Sequence, residues 1–436
     1  MIQITNTQKI SWFDYLYMLV MVIYLGQATI ETAAMVNTNI LKNIIGFIIP
    51  FILSIIFVIK HHVRFNSLRL KYLITIFSFW CLGVVIKYGF GIIGNYSIIT
   101  SFYLFYAILV AYIHVIVFRE SLFPLYEHVI YIISFISIIL WCFAVLMPGI
   151  ATPFFRSLPL ADYSHYGNHF LYLFTWMDPA KGQVTNGLIR NAGCAWEPGR
   201  FAVMICIAIC LQYLRQGIKV KGNNKLFILV LALILTQSTT GYFIFFLITF
   251  FFVLKLNSVW SFIAFLLLLI LVYILISSID FLGEKIQMQT DFSNVFFDLE
   301  NKIAQTENLY GKGEYSFSLE RFPAMYFEMQ NVIHDPILGY TQMREKSFFY
   351  NEISTNCSLT GGLVKVIGWF GIFLGSYLYV ILYKSTMAIS KTYRCSKYHG
   401  WALFLTFLFS SISYTIFTMP IFTAIWFWGY FNNNKN

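Results

Sequence analysis

The sequence predicts an all-α polytopic membrane protein, and two observations lead to this class. Of the 436 residues, 59% are hydrophobic and only 11% are charged, whereas about a quarter of the residues in a soluble domain are charged. The mean hydropathy is correspondingly high, at +0.71. Apolar runs of about twenty residues recur along the chain, and each can cross a hydrocarbon core of about 30 Å. We therefore expect a single integral membrane domain that covers residues 1–436.

The net charge of +10 is carried mainly by short basic clusters. Basic clusters in short loops are expected on the cytoplasmic side of a membrane protein. We therefore predict no nucleic-acid partner and use the clusters to orient the chain. They lie at residues 60–71, 215–225 and 384–397.

Five spans are predicted in the first third of the chain. They lie at about residues 12–31, 40–59, 72–93, 97–118 and 128–147. Because the basic loop after the second span faces inward, the third and fifth spans run outward. Residues 148–197 then form the first sizeable outer segment. Its prolines, among them Pro153, are expected to break any helix there.

The sixth span, at about residues 198–214, returns to the second basic cluster. Residues 226–254 are too long for one helix, and the polar sequence Thr-Gln-Ser-Thr-Thr-Gly at 236–241 divides them into two spans. A ninth span is predicted at about residues 258–278.

A large outer loop is predicted between spans nine and ten, at about residues 279–356. This loop holds 12 of the 19 acidic residues, so its charge is opposite in sign to that of the inner loops. A tenth span follows at about residues 360–383, and residues 400–430 form two short spans hinged near 414–420. This gives about twelve transmembrane helices with both ends inside, and every basic cluster lies on the cytoplasmic side.

The stretch 190–202 reads Arg-Asn-Ala-Gly-Cys-Ala-Trp-Glu-Pro-Gly-Arg-Phe-Ala and places charges at a membrane edge, where they are costly unless they are used. Proline is favoured at the first helical position, so Glu197 is predicted at a helix N-terminus. Two interpretations stay open. In the first, Glu197 is a helix cap and Arg200 is a snorkelling interfacial residue. In the second, both side chains face a polar cavity beside Trp196.

Arginines on the outer side suit chemistry on a lipid-linked diphosphate. A guanidinium binds phosphate oxygens in bidentate fashion and stabilises charge on the leaving group. Among the few predicted outer arginines, Arg190, Arg200 and Arg321 lie in motif-like surroundings. A carboxylate or a histidine could accept the proton of an acceptor hydroxyl.

The large outer loop carries further candidates. An amphipathic helix is predicted at 324–333, between Ser-Leu-Glu-Arg-Phe-Pro and His-Asp-Pro-Ile-Leu-Gly-Tyr. His334 is interpreted either as a helix end before a turn or as a substrate contact. Asn356 is interpreted either as a cap of the tenth span or as a substrate contact.

The motifs occur in a fixed order: Glu-Pro-Gly-x-Phe-Ala, Thr-x-Ser-Thr-Thr-Gly-Tyr, Arg-Phe, His-Asp-Pro-Ile-Leu-Gly-Tyr, a polar Ser-Thr-Asn stretch and Gly-Trp-Phe-Gly at 368–371. In this order and placement they resemble the O-antigen and capsular polysaccharide polymerase family, usually called Wzy, and the related O-antigen ligases. The resemblance covers about residues 190–385 by motif and the rest by topology. It implies a glycosyltransferase-C-like fold in the bacterial cytoplasmic membrane, with the active site on the periplasmic or extracellular side.

The resemblance also implies a reaction. The growing glycan would be transferred from undecaprenyl diphosphate to a new lipid-linked repeat unit. Arg190, Arg200 and Arg321 would hold the diphosphate, and Glu197 would orient or activate the acceptor. Many relatives carry His-Asn where this chain has Thr355-Asn356, so a histidine base is absent at that point.

The implied partners are the undecaprenyl-diphosphate-linked oligosaccharide, membrane lipid, a chain-length regulator and a flippase. We expect no cofactor and no metal. Two alternatives stay open: an O-antigen ligase that transfers glycan to a lipid core, and a transporter that flips lipid-linked oligosaccharide. A transporter should carry many charges inside its helices, whereas the predicted spans contain few, namely Asp14, Glu31, Lys87 and Lys365.

Overall fold

The computed structural model describes residues 10–25, 40–89, 95–158, 167–178, 184–185, 188–219, 221–254, 263, 266, 270, 317–319, 321–341, 346–353, 357–359 and 362–432. Within these residues, four helical stretches are long and apolar enough to cross a membrane: Leu68–Tyr88, Leu104–Leu146, Pro198–Gln216 and Gly362–Thr392. Several shorter apolar helices accompany them. The prediction of an all-α membrane protein is therefore confirmed.

Two finer features stay predictions, namely the total of twelve spans and the position of the large loop. The ninth span was predicted at 258–278, and nearly all of that range lies outside the described residues. The same holds for residues 279–316 of the predicted loop.

The first five helices follow the five predicted spans closely. They are α1 (Trp12–Leu25), α2 (Ile40–Lys60), α3 (Leu68–Tyr88), α4 (Asn95–Phe118) and α5 (Leu122–Leu146). A 3-10 turn at Arg119–Ser121 separates α4 from α5, and Arg119 takes a left-handed φ of 47° there. Arg119, which directly follows the predicted fourth span, therefore lies where the regular helix is interrupted.

The first predicted outer segment contains a helix and two small antiparallel strand pairs. These are α6 (Pro148–Arg156), β1 (Gly167–Phe170) with β2 (Phe174–Met177), and β3 (Val184–Thr185) with β4 (Leu188–Ile189). The expectation that prolines break any helix here was wrong, because α6 contains Pro153. Pro148 starts α6 without loss of a bond. Phe155 is buried and stacks on Trp176 at 5.5 Å, so tertiary packing holds the helix.

The second half of the chain forms eight helices in its described parts. They are α7 (Pro198–Gln216), α8 (Asn224–Leu235), α9 (Thr239–Leu254), α10 (Arg321–His334), α11 (Gly362–Thr392), α12 (Lys397–Ser413), α13 (Pro420–Trp426) and α14 (Trp428–Asn432). The predicted break at 236–241 and the predicted hinge at 414–420 both separate helices. A short parallel pair, β5 (Phe317–Ser318) with β6 (Cys357–Ser358), lies between α9 and α11 in sequence.

Helix α7 is the centre of the bundle. It packs against α5, α8, α9 and α12. In the most apolar 18-residue stretch of α7, 83% is buried inside the protein, compared with 22% in the corresponding stretch of α3. Close approach is possible because small residues meet: a Cβ added to Gly241 on α9 would lie 2.6 Å from the Cβ of Ala202. A charged residue in the first turns of α7 therefore faces protein rather than lipid.

The turn at residues 334–340 docks on a kink in α11. Gly371 interrupts α11 with a φ of 76°. At this kink the Ile372 N–H donates to the Pro336 carbonyl at 2.7 Å, and one turn earlier the Tyr340 N–H donates to the Gly368 carbonyl at 2.9 Å. The His-Asp-Pro-Ile-Leu-Gly-Tyr and Gly-Trp-Phe-Gly motifs, separate in sequence, therefore form one structural unit.

We predict that Gly371→Ala lowers stability. A Cβ at this position would overlap the carbonyl of Ile337, and this backbone conformation, which is open almost only to glycine, costs a residue with a Cβ about 1–3 kcal/mol. The measurement is the midpoint of thermal unfolding of the purified protein in detergent. Gly149→Ala is the control, because nothing lies within 4 Å of an added Cβ there. Equal midpoints for the two variants would contradict the docking role of the kink.

Candidate functional site

Glu197 and Arg200 form an ion pair at the start of α7. Glu197 precedes the helix in an extended conformation, and Pro198 occupies the first helical position as predicted. Glu197 makes no side-chain capping bond to α7. Its Oε1 instead lies 3.6 Å from Nε of Arg200, and the two side chains are 23% and 16% exposed. A cap and a snorkelling arginine do not account for this arrangement.

Two arginines lie over the same tyrosine ring. The guanidinium of Arg200 is 4.9 Å from the ring centroid of Tyr414, and that of Arg321 is 4.8 Å from it. Arg200 also lies 4.6 Å from the ring of Trp196. An aromatic face attracts cations. The Tyr414 ring therefore offsets part of the repulsion between two positive groups that come from distant parts of the sequence.

Arg321 is anchored to the end of α12. It begins α10, and its Nη1 donates to the carbonyl oxygen of Ser413, the last residue of α12. Its Nη2 donates to the Tyr414 hydroxyl at 3.3 Å. Unpaired carbonyls at a helix C-terminus carry partial negative charge and favour a cation. The backbone of α12 thus fixes one guanidinium of the site.

The Tyr414 hydroxyl joins the two charged motifs. It accepts the bond from Arg321 and lies close enough to the Glu197 carboxylate to feel its charge. It also packs against Gly199, where a Cβ would overlap it. Burial, and after it the charge of Glu197, raises the pKa of Tyr414 above its ordinary value. The hydroxyl therefore keeps its proton beside the two guanidinium groups.

Arg190 lies close to this cluster and is held by the turn between α8 and α9. Its Nε and Nη2 donate to the carbonyl oxygens of Thr236 and Gln237, both at 3.1 Å. Burial lowers the pKa of Arg190, while Tyr414 and Glu197 oppose this shift. Two of its five donors are thus committed to backbone. The sequence predicted a substrate contact, and the structure adds a positioning role.

A small cavity adjoins the cluster. It has a volume of about 10 Å³ and is lined by Arg200, Val203, Met204, Tyr414, Ile416 and Met419 together with Phe422. This is about the space that one water molecule needs.

Of the three remaining predicted site residues, the structure describes Trp196 and His334. Trp196 belongs to the cluster through Arg200. His334 ends α10, about 20 Å from Arg321 by helical rise, and its ring stacks on Phe348 at 3.7 Å. The structure therefore does not bring His334 to the arginines. Asn356 lies outside the described residues. Within the described part of the chain, no group of three or more His, Cys, Asp or Glu residues is placed to hold a metal ion.

Sequence reasoning missed Tyr414 and Ser413. Both lie in the segment that was interpreted only as a hinge between two short spans. A signal was present, because Ser410, Ser411 and Ser413 with Tyr414 interrupt an apolar run at a predicted outer end. The same kind of polar interruption had singled out residues 236–241.

We predict that Arg190→Ala destabilises the protein by about 1.5–3 kcal/mol, since hydrogen bonds to a charged group contribute about that much. The carbonyls of Thr236 and Gln237 would lose their donor. Arg64→Ala is the control, because Arg64 is exposed and substitutions at exposed positions change the free energy of unfolding by no more than about 0.5 kcal/mol. Thermal unfolding in detergent measures both. An Arg190→Ala midpoint equal to the control would show that these bonds do not hold the turn.

Comparison with known proteins adds no identification: no protein-family model, no curated protein and no solved structure matches this chain. The cluster formed by Glu197, Arg200, Arg321 and Tyr414 is therefore the feature of this chain that indicates a function.

Proposed function

We propose that this protein is a polysaccharide polymerase that joins lipid-linked oligosaccharide repeat units. It transfers the growing glycan from undecaprenyl diphosphate to a new lipid-linked unit at the outer face of a bacterial cytoplasmic membrane. One observation carries the proposal: Arg200 and Arg321 lie over one Tyr414 ring, with Glu197 beside Arg200. Arg200 lies in the first turn of α7, Arg321 begins α10 and Tyr414 directly follows α12.

The charge of the cluster supports an anionic ligand. Arg190, Arg200 and Arg321 contribute three positive charges and Glu197 one negative charge, which leaves a local charge of +2. Partly buried charges of one sign repel one another and lose hydration. A diphosphate would offset this cost and accept bidentate hydrogen bonds from guanidinium groups.

Each residue of the cluster has its own role in the proposed reaction. The acceptor hydroxyl oxygen attacks the anomeric carbon of the donor sugar, and the bond from that carbon to the phosphate oxygen breaks. Arg200 and Arg321 bind the diphosphate and stabilise the electron pair that it carries away. Glu197 accepts the proton of the acceptor hydroxyl. Tyr414 positions the two guanidinium groups, and Trp196 orients Arg200.

The proposal also implies partners. The lipid-linked repeat unit must reach the outer leaflet before it reacts, so a flippase has to supply it. A chain-length regulator would act on the product. The proposed reaction uses no metal and no cofactor.

We predict that Arg200→Ala and Arg321→Ala each lower polymerisation at least about a hundredfold, the usual loss when one group that stabilises developing charge is removed. Arg200→Lys should also be poor, because a point charge cannot replace a planar fork. The measurement is polymer length and yield on gels, normalised to protein level. Arg156→Ala, an exposed arginine outside the cluster, should keep normal chain length. Full activity in both alanine variants would place the diphosphate site elsewhere.

We predict that Tyr414→Ala loses most polymerase activity, whereas Tyr414→Phe keeps an intermediate level. The phenylalanine ring preserves the cation–π contacts, which contribute about 0.5–2 kcal/mol, but lacks the hydroxyl that accepts from Arg321. Tyr398→Ala, which removes an exposed ring from the opposite end of α12, is the control. Equal activity of the Phe and Ala variants would show that the Tyr414 ring does not position the two arginines.

The function itself is tested with purified protein and lipid-linked repeat units in detergent. Elongation of these units without a transbilayer gradient is the expected result and excludes a transporter. In cells, loss of the gene should leave single repeat units and no long chains. Undecaprenyl-linked polymer of normal length in that strain would indicate a ligase instead, and normal finished polysaccharide would end the proposal.

A further inference from the structure

The exposed side of α10 is apolar. Apart from His334 at its end, the exposed residues of this helix are Phe322, Tyr326, Met329 and Ile333, which are between 39% and 61% exposed. The opposite side, with Phe327, Glu328 and Asn331, is buried. A surface helix in water carries polar and charged residues on its outer side. We call Phe322, Tyr326, Met329 and Ile333 the apolar face of α10, and it is suited to hydrocarbon rather than water.

This face begins at the proposed diphosphate site. Phe322 directly follows Arg321, whose guanidinium contacts Tyr414. From there the face runs the length of α10, about 20 Å. It therefore connects the guanidinium groups to the other end of the helix without an exposed charge on the way.

The far end of the face meets lipid-exposed surface on α3. The indole N–H of Trp80 donates to the Leu338 carbonyl at 3.0 Å, and Lys87 forms an ion pair with Asp335. Helix α3 is apolar, long enough to cross a membrane and mostly unburied. Its exposed residues beside this contact are Phe79, Leu82 and Ile86. The turn that follows the apolar face of α10 thus lies against α3, beside the exposed apolar residues of that helix.

We propose that the apolar face of α10 binds the polyprenyl chain of the lipid-linked substrate and leads it from the diphosphate at Arg321 to the bilayer along α3. The inference rests on the proposed function and names the path of its lipid. A polyprenyl chain has no charge and no hydrogen-bonding group, so a face without charges is its complement. A diphosphate held at Arg321 needs such a path, because its lipid tail cannot stay in water.

The experiment uses the full-length protein in nanodiscs of phosphatidylethanolamine and phosphatidylglycerol. The photoreactive residue p-benzoylphenylalanine replaces Met329 or Ile333 on α10, or Ile139 on α5 as an exposed apolar control. The probe is undecaprenyl-diphosphate-linked oligosaccharide with a labelled sugar. We expect about tenfold more labelled adduct at 329 and 333 than at 139, an occupancy preference of about 1.4 kcal/mol. Unlabelled undecaprenyl diphosphate should compete, and added phospholipid should not.

Two other labelling outcomes overturn the proposal. Equal labelling at 139 would mean that the face contacts bulk lipid, and adducts within the chain would mean that another segment of this protein covers it. Elongation by the unsubstituted protein is measured in parallel. If elongation occurs without labelling at 329 and 333, the proposed lipid path is wrong and the proposed polymerase function stands. If labelling occurs without elongation, the polymerase proposal fails while the polyprenyl site stands.

Discussion

The contact of two guanidinium groups with one tyrosine ring determines how the rest of the site is built. Arg200 and Arg321 would repel each other without Tyr414 between their helices, and Tyr414 can approach α7 only because residue 199 is glycine. The α12 terminus supplies the carbonyl that holds Arg321. Helix α7 in turn lies at the centre of the bundle. The charged cluster is therefore attached to the most buried of the four long helical stretches.

Helix α10 is held at both ends by different means. At its start Arg321 bonds to Ser413, and at its end the 334–340 turn bonds to the kink of α11 at Gly371. Between these anchors Glu328 is buried, and both of its oxygens accept from the Tyr340 hydroxyl at 3.0 Å. This fixes the rotation of α10 about its own axis. The arginine then faces the cluster while the apolar face of the same helix stays outward.

The sequence was sufficient for features that depend on local chemistry. Long apolar runs predicted the helices, Pro198 predicted the start of α7, and the polar break at 236–241 predicted the turn that now holds Arg190. It was insufficient where tertiary packing decides. The helix through Pro153 depends on burial of Phe155, and the contact of Arg321 with Ser413 and Tyr414 depends on how α10 packs beside α12. Tyr414 was missed because its partners lie in distant parts of the sequence.

The central claim is that Arg200 and Arg321 act together on one diphosphate. A double-mutant cycle tests it directly, with the affinity of purified protein for undecaprenyl diphosphate measured in the unsubstituted protein, Arg200→Ala, Arg321→Ala and the double variant. Groups that share a ligand and a ring should be coupled, by about 0.5–3 kcal/mol. We therefore expect each single variant to bind weakly and the double variant to lose clearly less than the sum of the two losses. Unchanged affinity in either single variant, or strictly additive losses, would contradict a shared diphosphate site.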